Sequence, residues 1–107
     1  MNEIIKVSII IPTRDRAKSL GLTLESLNAV FVPKEISLQV IIVLDGCTDN
    51  SNKVVEQWHA SFQHTATIVY TTGLGAGGAR NSGLDHAKGT LIGFMDDDVI
   101  PLSLIHI

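Results

Sequence analysis

The stretch Leu38-Gln39-Val40-Ile41-Ile42-Val43-Leu44, followed at once by Asp45-Gly46-Cys47-Thr48-Asp49, decides the fold. The first seven residues form one continuous, β-branched run, which is typical of a strand buried on both faces. The next five provide turn and helix-capping residues. Apolar residues then recur at helical spacing, at Val54, Val55, Trp58 and Phe62. The segment therefore predicts a strand, a loop and a helix in succession.

A unit of the same kind precedes this one. Val7–Ile11 is a short β-branched run that ends at Pro12, which predicts a buried strand. An apolar stripe with steps of four, three and four residues follows, formed by Leu20, Leu24, Leu27 and Phe31. That spacing lies along one face of a helix, so the first unit also reads strand, loop, helix.

A third unit and a further strand follow. Thr67–Thr71 predicts a strand, Gly73–Gly78 a glycine-rich loop, and Ala79–Lys88 a helix that ends at the C′ residue Gly89. Leu91–Met95 predicts the fourth strand. Strands that alternate with helices and are buried on both faces predict an α/β fold with an open, mainly parallel sheet, similar to half of a Rossmann fold. Ligands of such sheets bind beyond the carboxyl ends of the strands.

The composition excludes several classes of protein. The chain has 107 residues, of which 45% are hydrophobic and 18% charged, which favours a single folded domain, or part of one, over disorder. Its formal net charge is −3 and its basic residues are scattered, so nucleic acid is not an expected partner. The single cysteine excludes an intramolecular disulfide. Since no apolar run approaches about 18 residues, this chain has no predicted membrane-spanning segment.

Three adjacent carboxylates end the fourth strand, at Asp96-Asp97-Asp98. Like charges this close repel one another unless a cation neutralises them. In an extended segment Asp96 and Asp98 lie on one side and Asp97 on the other. Oxygen ligands of this kind suit Mg²⁺ or Mn²⁺, and a solvated acidic turn is the alternative.

The glycine-rich loop contains the pattern G-x-G-x-x-G at Gly73, Gly75 and Gly78, after a strand and before a helix. This is the context of a dinucleotide-binding loop, so an NAD-type oxidoreductase is one hypothesis. In the Rossmann fold, however, that pattern normally follows the first strand. A second hypothesis is a loop whose amides, together with Arg80, approach a nucleotide. The third is a mobile connection without a ligand.

Two other loops carry candidate binding residues. Arg14 and Arg16 directly follow the first strand, where guanidinium groups can hold a phosphate or a base, although a solvated helix start explains them equally simply. Asp45 ends the second strand, and we interpret it as a ligand contact for an imide N–H or a ribose hydroxyl. Thr48 and Asp49 are interpreted as caps of the next helix.

Four segments in this order, Val7–Arg16, Val43–Asp49, Ala79–Leu84 and Phe94–Asp98, resemble the N-terminal half of a family 2 glycosyltransferase of the GT-A fold. The resemblance covers nearly all of the chain up to Pro101. It implies transfer of a sugar from a nucleoside-diphosphate sugar donor to an acceptor, with inversion and with Mg²⁺ or Mn²⁺ on the diphosphate.

The resemblance also implies roles for single residues. It implies a nucleotide-sugar site formed by Pro12, Thr13, Arg14, Asp45, Arg80, Asp96 and Asp97. Asp96 and Asp98, in D-x-D spacing, would hold the metal. Two positions depart from the family pattern, because Leu44 stands where the family often has an acid and Cys47 where it commonly has serine. These departures leave the nucleotide preference open.

The resemblance implies that the general base and the acceptor-binding part lie further downstream than this chain reaches. We therefore assign no catalytic residue and expect the chain alone to transfer no sugar. The acceptor is expected to be a polysaccharide or a lipid-linked molecule, and the intact protein to be cytoplasmic, at the cytoplasmic face of a membrane. A truncated product that does not fold stably is a further alternative.

The final residues, Leu102-Ser103-Leu104-Ile105-His106-Ile107, contain no turn residue and no helix cap. They match the in-frame translation of a transposon-end adapter used for sequencing libraries, and we interpret 102–107 as a non-native tail. The alternative is the start of a natural strand. On the first hypothesis, 1–101 is the nucleotide-sugar-binding part of a GT-A domain that is incomplete at its C-terminus.

Overall fold

A computed structural model of the chain describes residues 3–98. Strands and helices alternate throughout this range, in the order β1 (Ile5–Thr13), α1 (Ala17–Asn28), β2 (Ile36–Asp45), α2 (Ser51–Ser61), β3 (Thr65–Thr71), α3 (Gly75–Leu84) and β4 (Leu91–Phe94). The hypothesis that 102–107 is a non-native tail concerns residues outside the described range, so it stays a prediction.

The strands form one parallel sheet with the order β3-β2-β1-β4. In the register, Ile9 of β1 pairs with Val40 of β2, which in turn pairs with Ala66 of β3. This arrangement confirms the predicted open, parallel α/β sheet. Because all strands run in the same direction, the loops that follow them meet at one end of the sheet.

The core has two layers, one on each face of the sheet. Helices α1 and α2 pack with Ile11, Val40 and Ile42 on one face. Helix α3 covers Ile10 and Ile41 on the other face. Successive strand residues point to opposite faces, which explains why β2 had to be apolar along nearly its whole length.

The end of α1 differs from the prediction. Leu20, Leu24 and Leu27 are buried in the core as the stripe predicts, but Phe31 is 74% exposed. The helix ends at Asn28, so Phe31 lies beyond it and no longer shares the helical face. None of the described helices has the length and apolarity needed to span a bilayer.

Helix α3 also differs from the prediction. It begins at Gly75 instead of Ala79, so the glycine-rich segment forms its first turn, and it ends at Leu84 instead of Lys88. Gly89 is therefore not its C′ residue. A Cβ at Gly89 would lie 2.6 Å from the Ser8 amide nitrogen, so glycine is needed there for close approach to β1.

A hydrogen-bonded group, here called the Gln39 network, ties the segment after α3 to the sheet. The Gln39 side chain, which is 7% exposed, has four partners. These are the Ser8 hydroxyl at 2.7 Å, the Lys88 amide at 3.0 Å, the Thr67 hydroxyl at 3.1 Å and the His86 carbonyl at 3.1 Å. The Ser8 hydroxyl also accepts a hydrogen bond from the Gly89 amide at 2.8 Å. Every polar atom of the Gln39 side chain is thus paired, which a buried amide requires.

Candidate functional site

The loops at the carboxyl end of the sheet enclose a cavity of about 490 Å³, here called the carboxyl-end cavity. It is lined by Pro12, Thr13, Arg14, Arg16, Asp45, Gly75, Ala76, Ala79, Arg80, Asp96, Asp97 and Asp98. These residues come from all parts of the chain, and they include every residue for which a nucleotide or metal role is predicted. Their individual roles remain predictions.

The acidic segment points in two directions. Asp97 is 7% exposed, and its carboxylate accepts a hydrogen bond from the Thr13 hydroxyl at 2.7 Å. Its backbone carbonyl accepts another from the Thr23 hydroxyl at 3.0 Å. Asp96 and Asp98 are exposed. The alternation expected for an extended segment is therefore present, and Asp97 connects the segment to β1 and α1.

Arg16 supplies positive charge next to these acids. Its Nη1 atom lies 3.5 Å from Asp97 Oδ1 and 3.6 Å from Asp98 Oδ2, and the Arg16 side chain is 57% exposed. Sequence reasoning offered Arg16 only as a phosphate contact or a solvated residue. The spacing of the motifs contains no signal for this pairing, because it depends on β1 and β4 being neighbours.

The exposed carboxylates fit a hard divalent cation. Asp96 accepts no hydrogen bond from the described residues, and Asp98 has only the long contact with Arg16 in the same range. Both offer oxygen ligands at the mouth of the cavity, and Mg²⁺ and Mn²⁺ prefer such ligands while keeping positions for substrate phosphates.

Asp45 is held by the protein on all sides. It is 3% exposed, and its carboxylate accepts four hydrogen bonds. The donors are the Thr71 hydroxyl at 2.6 Å and the amides of Gly73, Leu74 and Gly75 at 3.0, 2.7 and 2.9 Å. This group is here called the Asp45 network.

The Asp45 network changes the electrostatics of the loop. Burial favours a raised pKa for Asp45, but the hydrogen bonds from Thr71 and the loop amides outweigh it and lower the pKa below the ordinary value of 3.8. The amides at the start of α3 therefore already bind an anion. A dinucleotide-binding loop would use such amides for the pyrophosphate, so the oxidoreductase hypothesis finds no support here.

The Asp45–Asp49 loop is joined to the start of α1. Asp15, which has a φ of 52°, accepts hydrogen bonds from the Thr48 amide at 2.6 Å and the Asp49 amide at 3.0 Å. These backbone hydrogen bonds lower the pKa of Asp15. Asp49 accepts from the amide of Ser51, the first residue of α2, at 2.8 Å, which confirms its predicted capping role.

Asp15, Cys47 and Asp49 each place one potential metal-ligand atom within 4.8 Å of the others. The sequence analysis did not predict this group. Both carboxylates already accept amide hydrogen bonds, and Cys47 Sγ lies 3.7 Å from the Thr13 carbonyl oxygen. The group therefore fits a junction between loops, although it remains a candidate acidic metal group.

Two arginines complete the carboxyl-end cavity. A Cβ at Gly73 would lie 3.7 Å from Arg14 Nη1, which places the Arg14 guanidinium against the glycine-rich loop. Arg80 is exposed on the second turn of α3. Arginines on two elements face a cavity whose opposite wall carries Asp96 and Asp98, an arrangement that can bind a phosphate group together with a cation.

Comparisons with known proteins agree with this site. The family model for Glycosyl transferase family 2 matches residues 8–103. The uncharacterized glycosyltransferase YibD of Escherichia coli is 32% identical over 103 residues, which cover 94% of this chain and 29% of that protein. The chain thus spans less than a third of the length of this relative.

Solved structures are similar as well. The structure of S. aureus TarS 1-349 in complex with UDP has a TM-score of 0.77 and 29% identity, covering 88% of this chain and 28% of that one. The mannosyltransferase PcManGT from Pyrobaculum calidifontis, in complex with GDP-Man and Mn²⁺, has a TM-score of 0.78 and 28% identity, covering 86% and 27%.

Proposed function

The chain belongs to glycosyl transferase family 2, and from this we propose that the intact protein transfers a sugar from a nucleoside-diphosphate sugar to an acceptor, with inversion. One observation carries the proposal. The carboxyl-end cavity combines arginines with exposed carboxylates, which is the chemistry that a diphosphate and its cation require. Neighbours in complex with UDP and with GDP-Man and Mn²⁺ support the same donor class.

The proposal gives each wall of the cavity a role. Pro12 and Thr13 line the nucleoside end, while Arg14 and Arg80 face the diphosphate. Asp96 and Asp98 would hold Mg²⁺ or Mn²⁺. When bound, the metal would neutralise the charge that develops on the diphosphate leaving group.

Acceptor activation belongs to another part of the protein in this proposal. The family resemblance implies a downstream acid as the general base, and no residue of this chain is assigned that role. The isolated chain is therefore expected to bind a donor nucleotide and to transfer no sugar. Metal-dependent turnover by the isolated chain would contradict this expectation.

Calorimetric titration of the 107-residue chain with UDP and with GDP, with and without Mn²⁺, tests donor binding. We expect binding of at least one nucleotide to depend on Mn²⁺. The variant Asp98→Asn should weaken that binding by about tenfold or more, since losing even a group that only orients a metal ligand has effects of this size.

The matched control is Asp85→Asn, which removes the same charge from an exposed residue outside the cavity. It should leave nucleotide binding unchanged. Equal binding with and without metal, or an equal loss in both variants, would refute the proposed metal site. Binding of NAD in place of UDP and GDP would refute the proposed donor class.

A further inference from the structure

We propose that Asp45 is a positioning residue that fixes the glycine-rich loop and the start of α3, and does not itself recognise the nucleotide base. The effect on nucleotide binding rests on the proposed function, whereas the effect on the loop does not. The first argument is the capacity of the carboxylate. A carboxylate has about four lone-pair sites, and the Asp45 network occupies it with four donors.

The second argument is the path of the loop. Gly73 and Gly75 have φ angles of 95° and 83°, in the left-handed region that favours glycine. This path turns three successive amides, those of 73–75, toward one carboxylate. A Cβ at Gly46 would lie 3.0 Å from the Gly73 nitrogen, so the loop also packs directly on the residue after Asp45.

The third argument is the capping of α3. Its N-cap residue, Leu74, makes no side-chain capping hydrogen bond. The first amides of a helix need acceptors and favour a negative charge nearby, and Asp45 provides both from the end of β2. Ala76 and Arg80, which line the cavity, follow within the next turn and a half. Fixing the start of α3 therefore fixes the position from which Arg80 reaches the cavity.

Amide hydrogen exchange measured by NMR on the chain without nucleotide tests the loop directly. In Asp45→Asn the side-chain oxygen can still accept two amides, but the new NH₂ group faces a donor on the other side. Exchange at 73–75 should rise by about tenfold or more, since hydrogen bonds to a charged group are the strong ones. Exchange in β1 and β2 should stay as in the wild type.

Titration with UDP and GDP in the presence of Mn²⁺ separates positioning from base recognition. Positioning predicts that Asp45→Asn weakens both nucleotides by the same factor, so that their affinity ratio is unchanged. A changed ratio with unchanged exchange at 73–75 would overturn the proposal, and so would unchanged exchange alone.

Thr71→Val keeps the test decisive if Asp45→Asn does not fold. Thr71 donates to Asp45 but does not line the cavity. Its loss should raise exchange at 73–75 in the same direction but by less, and an unchanged loop would again contradict the proposal. If the wild-type chain binds neither nucleotide, the proposed function fails, while the exchange measurement still decides the role of Asp45.

Discussion

Side chains of the sheet hold both ends of α3, but they do so with different chemistry. The Asp45 network fixes the start of the helix with a carboxylate, and the Gln39 network fixes the segment after it with a neutral amide. A carboxylate only accepts hydrogen bonds, so it can collect several amides of one loop. An amide both donates and accepts, so it can join hydroxyls, an amide and a carbonyl.

The difference follows the position of each network in the sheet. Gln39 pairs with Ser8 in the register of β2 and β1, in the amino-terminal half of the sheet, and Ser8 is completely buried. A charge there would be costly without a partner of opposite sign. Asp45 lies at the carboxyl end, beside solvent and the arginines of the cavity. The neutral network therefore serves stability, whereas the charged one adjoins the site.

The largest expected effect comes from removing the neutral network. Gln39→Leu leaves the Lys88 amide and the His86 carbonyl without their partner. We expect the free energy of unfolding to fall by about 3 kcal/mol, because each unpaired buried group costs about 1–3 kcal/mol. Urea denaturation measures this loss. Gln63→Leu, at an exposed position, is the control, and equal losses in both variants would mean that the network contributes nothing.

The close approach of the neutral side to β1 can be tested next. In Gly89→Ala the new Cβ would lie 2.6 Å from the Ser8 nitrogen and 2.7 Å from its hydroxyl oxygen. Backbone atoms cannot easily move, so we expect a loss of about 2 kcal/mol in thermal or urea denaturation.

The control for Gly89→Ala is Gly77→Ala. A Cβ at Gly77 meets nothing within 4 Å, and this residue lies inside α3. Alanine is the better helix former, so this variant should gain about 0.5–1 kcal/mol. A loss at Gly77 similar to that at Gly89 would show that the contact with Ser8 is not the cause.

Acid unfolding distinguishes the charged network from the neutral one. Because the pKa of Asp45 lies below its ordinary value of 3.8, its contribution to stability is fully present above about that pH and is lost as the pH falls through the folded-state pKa. One proton changes the slope by at most about 1.4 kcal/mol per pH unit. Stability measured below pH 4 should therefore fall less steeply in Asp45→Asn than in the wild type. Gln39→Leu should lower stability without changing this slope, and parallel curves for all three proteins would contradict the assignment.

The smallest expected effect concerns the second charged contact of the carboxyl end. Arg16 is 57% exposed and lies 3.5 Å from Asp97 and 3.6 Å from Asp98. Exposed ion pairs contribute little, so Arg16→Gln should change the free energy of unfolding by no more than about 0.5 kcal/mol. A loss as large as that in Gln39→Leu would show that charge pairing at this end is structural after all.

The sequence predicts the elements better than it predicts their contacts. β-Branched runs such as Val7–Ile11 predict the strands correctly, because burial on both faces leaves few other residues possible. The start of α3 is missed, because glycine is a poor helix former and the stabilising contact comes from Asp45, 30 residues from Gly75. The positions of Ser8 and Gln39 do carry a signal, since both are polar residues inside apolar runs, but only the register shows that they meet.

The same limit applies to the candidate site. Its members can be found from motifs at the ends of the predicted strands, because parallel strands bring these ends together. What each side chain contacts depends on the order of the strands. Thr13 meets Asp97 because β1 and β4 are neighbours, 84 residues apart in sequence.

The position of β4 beside β1 also determines the order in which the sheet can be completed as the chain is synthesised. β1 pairs with β2 through Ile9 and Val40, but its other ladder joins Val7 to Leu91, near the end of the described residues. Closing a loop of this length makes folding slow compared with local contacts. One side of β1 therefore stays open on the nascent chain until nearly the whole segment has left the ribosome, and β4 is the last strand to join.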